Sequence, residues 1–123
     1  MIRNSPIVRV VAYRKSADSA IQLRVTPDVL DMTEYAKGDH LITWRLDTKG
    51  FRFSTETKEP AIEFTSPGSK ETFSDLKVHC HGRFATVHNK NTDGLAFAYN
   101  VHVVEAATGV KAFLDPVVQN NDY

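Results

Sequence analysis

The chain has 123 residues, 41% of them hydrophobic and 24% charged, with fifteen Lys plus Arg against fifteen Asp plus Glu. That length gives room for one domain, which buries roughly two thirds of the surface its unfolded chain exposes. Zero net charge and the lack of a basic block exclude the surplus of cations on which nucleic-acid binding ordinarily rests; a basic patch would have to be assembled by the fold.

Ile7–Tyr13 reads as a first strand, apolar on both faces and therefore well covered. After a polar turn at Arg14–Ser19, Ile21, Leu23 and Val25 alternate with Gln22, Arg24 and Thr26, a strand with one buried face. Thr26–Gly38 supports two readings. Thr26 as cap, Pro27 at the first position and Gly38 as stop describe a short helix; Val29–Met32 as a strand followed by irregular chain is preferred. At His40–Asp47 the alternation is clearest, with His40, Ile42, Trp44 and Leu46 set against Leu41, Thr43, Arg45 and Asp47.

Asp47–Gly50 forms a tight turn, Phe51 and Phe53 share a face, Ala61–Phe64 is a short strand and Ser66–Ser69 a turn. Leu76–His88 and Leu95–Ala106 are expected to form the longest hairpin, joined by the Asn89–Gly94 loop. Val110–Val118 closes the sheet, interrupted at Asp115-Pro116, which places it at an edge or bends it there. Gln119–Tyr123 is a polar tail that frays. About seven to nine short strands with turn signals every eight to twelve residues predict an all-β protein. The expected architecture is one antiparallel β-sandwich domain over residues 1–123, with at most one short helix.

The stretch KGDHLITWRL resembles the strand of cupredoxin-like and immunoglobulin-like sandwiches in which a Gly-Asp turn precedes a buried tryptophan. With GFRF, AIEF, AYNVHV and LDPVVQN, the pattern over Leu41–Asn120 is similar to that of small bacterial proteins of uncharacterised function with an immunoglobulin-like fold. The resemblance implies a fold and carries no activity with it.

His79-Cys80-His81 invites comparison with a copper centre, but no methionine follows Cys80 and His81 is its immediate neighbour. Neighbours in a strand point to opposite faces, so Cys80 is expected inside with Leu76 and Val78, as a small hydrophobe. Without the cysteine, His79 and His81 share a face about 6.5–7 Å apart. If Gly82 supplies a bulge and the hairpin turns at Asn91–Thr92, His81 falls opposite His102. His79, His81 and His102 would then form a site suited to zinc or copper. The plainer reading is that these histidines line a solvated strand face beside Lys77 and Asn100. Glu56, Glu59, Glu63, Glu71 and Asp75 read as a solvated edge, and no serine sits in a nucleophile elbow.

Trp44, with Ile42 and Leu46 as face-mates, is expected to fill the space between two sheets. Cys80 is the only cysteine, which excludes an internal disulfide and fits a reducing compartment. No apolar stretch at the start has signal-peptide length, and none approaches the ~18 residues that span a bilayer. A full-length chain is therefore expected to be soluble and cytoplasmic. The functional expectation is a non-enzymatic binding module without a cofactor. Its partner would be another protein or a second copy, a homodimer, met through a sheet edge; the histidine metal site is the alternative.

Overall fold

The computed structural model describes residues 5–120. Strand makes up 52% and helix 9%, so the all-β expectation holds. Five strands form the first sheet: β1 (Ile7–Tyr13), β2 (Gln22–Thr26), β4 (His40–Leu46), β7 (Phe73–His79) and β8 (Phe84–Asn89), in the order β2-β1-β4-β8-β7. The second contains β3 (Val29–Asp31), β5 (Phe51–Phe53), β6 (Ile62–Phe64), β9 (Ala96–Glu105), β10 (Lys111–Leu114) and β11 (Val117–Gln119). Its long central strand, β9, pairs with β5 and β6 along one side and with β10 and β11 along the other, and β3 lies outside β11. One short helix, α1 (Ser69–Thr72), precedes β7.

Period-two patterning sets which residues face inward. In β4 the buried residues are Ile42, Trp44 and Leu46, and in β8 Ala85, Val87 and Asn89. In β1 Val8, Val10 and Ala12 point inward while Ile7 is 61% exposed, so β1 is covered on one face and not on both. From the second sheet, Phe97, Tyr99, Val101 and Val103 of β9 meet them. The join is explicit at the centre. Trp44 donates its indole N–H to the Tyr99 hydroxyl at 3.0 Å, with the two rings 5.4 Å apart and inclined by 68°. Burial holds the Tyr99 hydroxyl protonated well above the ordinary tyrosine range. Phe73 extends the aromatic core, stacked on Phe64 at 3.8 Å and edge-on to Phe97 at 5.1 Å.

The expected hairpin between Leu76–His88 and Leu95–Ala106 does not form. β7 and β8 pair with each other, and β9 belongs to the other sheet. The cause is a reversal at Cys80, His81 and Gly82, whose φ values of 54°, 57° and 89° are all left-handed. Gly82 is required there: a Cβ at this position would lie 2.6 Å from Cβ of Arg52.

Asn89–Gly94 then carries the chain between sheets. Its asparagines, which read as turn formers, make a buried amide network. Asn89 and Asn120 exchange side-chain hydrogen bonds at 2.8 and 3.1 Å, and Asn89 Oδ1 also accepts from the Asn91 amide at 3.0 Å. Buried amides persist where their donors and acceptors are matched, as here.

Two pairings are parallel, β1 with β4 and β3 with β11, so the sheets are mixed and not wholly antiparallel. Near the C-terminus, Leu114 faces Val101 and Val117 faces Ala98, one continuous register interrupted at Pro116, which has no N–H to donate. The Thr26–Gly38 segment takes the strand reading, with β3 followed by a single helical turn at Met32–Glu34. The fraying expected over Gln119–Tyr123 does not reach Gln119, which pairs in β11, or Asn120, which is buried; residues 121–123 lie outside the described residues.

Trp44→Ala is expected to lower stability by roughly 3–5 kcal/mol, the cost of emptying a large buried site. Tyr99→Phe leaves the indole N–H without an acceptor and costs about 1–3 kcal/mol. Urea denaturation midpoints check both; two unchanged midpoints would place this pair outside the core.

Candidate functional site

The three histidines are not brought together. His79 ends β7 on the outer face of the first sheet, where its Nε2 lies 3.0 Å from the Thr86 hydroxyl. His81 sits in the reversing turn, exposed. His102 lies in β9 of the second sheet, opposite Phe113 of β10. His81 falls across from His102 only if the His81 strand pairs with β9; the β7–β8 reversal and the place of β9 in the other sheet remove that register. Among the described residues no group of three or more His, Cys, Asp or Glu is arranged to hold a metal ion.

Cys80 is corrected for the same reason. The inward alternation of Leu76 and Val78 stops at His79, and Cys80 enters the turn with its thiol exposed. Thiol reagents should therefore label Cys80 in the native protein, and urea should add little to the rate. Labelling only after unfolding would return it to the interior.

His102 has other partners, which sequence spacing did not reveal. Its Nε2 is 2.9 Å from Glu63 of β6, and its Nδ1 is 3.9 Å from Glu59. Asn100 donates to the same Glu63 oxygen at 3.1 Å. Lys111 joins the group, with Nζ 2.5 Å from Glu56 and 3.2 Å from Glu59. The backbone fixes the arrangement: Ser54 N donates to the His102 carbonyl at 3.0 Å, and His102 N donates to Ala61 at 2.9 Å.

The signal in the sequence is only that Asn100 and His102 stand at alternate positions of one strand; that Glu63 lies on the neighbouring strand is set by the β6–β9 pairing. The set ties the 54–61 segment to β9 and β10. It has no serine, threonine or cysteine nucleophile bonded to His102, whose side chain is only 9% exposed.

The hydrogen bonds from His102, and then from Asn100, hold the Glu63 carboxyl below its usual range. A depressed carboxylate contributes stability above the unfolded value, about 4.3 for glutamate. That contribution is lost as the pH falls through the folded value. Glu63→Gln should flatten the acid limb of the stability–pH curve; an unaltered limb would mean that the pairing contributes nothing.

The side of the molecule between β6 and β7 is open. Among the described residues β7 pairs only with β8 and β6 only with β9, so each presents an unpaired edge. A one-residue irregularity between Ser74 and Lys77 bulges β7, with Asp75 at φ 58°. Two clefts flank the bulge. The larger, about 480 Å³, is walled by Ser54–Thr57, Pro60, Ala61, Leu76 and Val78. The smaller, about 210 Å³, is lined by Ile62, Phe64, Phe73, Leu76 and Val87, with Ser74 and Asp75 at the bulge. Leu76 borders both.

No protein-family model matches the chain, and no curated protein matches it significantly. Among the described residues no helix is long and apolar enough to cross a membrane.

Proposed function

We propose that the chain is an immunoglobulin-like β-sandwich that acts as a non-enzymatic protein-interaction module, docking a partner at the open side between β6 and β7. The observation that supports this reading is the pair of clefts sharing Leu76, the smaller mostly apolar and the larger apolar at Pro60, Ala61, Leu76 and Val78, set between two unpaired sheet edges. An extended segment places alternate side chains on one side, so two apolar residues two positions apart span about 6.5–7 Å and can enter neighbouring clefts.

The Asp75 bulge favours this over strand-to-strand pairing. It interrupts the row of backbone groups that a second copy would need for a continuous ladder, a common protection of sheet edges. Side-chain docking of a different protein is thus the preferred form, and the homodimer through β7 the lesser one. His102 with Glu63 serves to hold the cleft wall and not to transfer protons.

Leu76→Asp puts a charge where both clefts meet. Half-buried Leu76 lies at the margin of the core, so the fold is expected to survive. Hydrophobic-probe fluorescence and chemical-shift mapping with short apolar peptides test the reading. Shifts centred on Ala61, Leu76 and Val78 that vanish in Leu76→Asp are expected. Shifts scattered over the surface, or unchanged in the variant, would contradict it. Light scattering over a range of concentrations should report a monomer, and a dimer that persists in Leu76→Asp would move the interface elsewhere.

A further inference from the structure

The fold separates charges that the sequence balances. On the first sheet, Arg9 and Arg45 stand side by side on β1 and β4, alternating with inward Val8, Val10 and Trp44. The ladders extend this row as Thr26, Arg9, Arg45, Phe84 and His79 across all five strands. Lys77 lies opposite Thr86 in the next row, and Arg24 opposite Val11 at the other margin. Apart from Asp75 in the β7 bulge, these five strands contain no carboxylate. Among the described residues, the carboxylates paired with cations or histidines of this face come from its rims: Asp47 beside Arg9 and Arg45, and Asp39 3.8 Å from His88. On the second sheet's outward side the exposed cations Arg52 and Lys111 flank Val104, and Glu56, Glu59 and Glu63 gather around Lys111 and His102.

We propose that the outer face of the first sheet docks an extended, carboxylate-rich segment of a partner protein, with Arg9 and Arg45 as its central clamp. It is a surface separate from the clefts between β6 and β7. The geometry around Asp47 shows what the pair takes. Arg9 Nε at 3.1 Å, Arg45 Nε at 2.9 Å and an Arg45 terminal nitrogen at 3.2 Å converge on that one carboxylate. Two guanidiniums carry ten N–H donors between them, and Asp47 engages those three nitrogens. The side chains of Arg9 and Arg45 are 60% and 47% exposed, so further donors face solvent. Guanidiniums match carboxylates in planar, two-pronged geometry, which suits a row of acidic side chains crossing the strands.

Two observations favour an acidic protein segment over a nucleic acid. Ile7, 61% exposed, and Leu41, 44% exposed, share this face and supply apolar contacts among the cations. Phe84 is half-buried in the row, so it offers no free ring on which a base would stack.

The test uses a fluorescein-labelled peptide of alternating glutamate and leucine, read by anisotropy and by amide shifts in the full chain. Its controls are the glutamine–leucine analogue and a fluorescein-labelled oligothymidylate of similar length. The glutamate peptide should bind with shifts at Arg9, Thr43, Arg45 and Thr86, and binding should weaken as salt rises. Arg9→Gln with Arg45→Gln should weaken it about tenfold or more, as loss of a close charge pair does. Lys111→Gln on the opposite sheet should leave it unchanged, and thermal midpoints establish that each variant is folded. Absence of binding, equal binding of the glutamine analogue, tighter binding of the oligothymidylate, or no effect of the arginine substitutions would each overturn the proposal. Shifts confined to Leu76 and Val78 would also overturn it, while leaving the cleft reading intact.

Discussion

The hydrogen bond from Trp44 to Tyr99 is the contact on which the two-sheet arrangement depends. Trp44 lies in β4, the middle strand of the first sheet, and Tyr99 in β9, the strand around which the second is built. Each residue fills the gap between sheets with a large ring, and each would leave a polar atom stranded in an apolar interior without the other. Matching donor to acceptor removes that penalty and fixes how β4 and β9 lie against each other. The remaining inward residues, from Val8 and Val10 to Phe97 and Val103, pack around that fixed point.

Sequence periodicity made much of this legible. The alternation through His40–Leu46 identifies Ile42, Trp44 and Leu46 as inward, and β1 keeps the bounds read from its β-branched run. Local pattern says which face of a strand is buried; it does not say which strand lies beside it. Hence neither the β7 and β4 neighbours of β8 nor the two parallel pairs can be read from periodicity. The reversal at Cys80–Gly82 needs two non-glycine residues at positive φ, and only Gly82 announces it. Asn89, Asn91 and Asn120 have the composition of exposed turns, yet their worth lies in amides that satisfy one another inside the fold, a long-range fact.

The functional surfaces were less legible for a related reason. Composition reports fifteen cations and fifteen anions, and nothing in it tells that Arg9, Arg45 and Lys77 share one outer face while Glu56, Glu59 and Glu63 gather on the other sheet. The histidines were read from spacing as one group; folding distributes them to a strand end, a turn and a different sheet. What remains around His102 is an imidazole held by Glu63, on a residue whose backbone bonds Ser54 and Ala61 of the larger cleft's wall. Both proposed surfaces thus follow from strand neighbours.

Native-state hydrogen exchange of the Trp44 indole proton is the most direct measurement, because the chain has a single tryptophan and the signal is unambiguous. If the indole bridges the sheets, its proton exchanges only when the whole domain opens, with a protection free energy equal to global stability. Exchange at the rate of a solvated indole, in a protein still folded, would contradict the account.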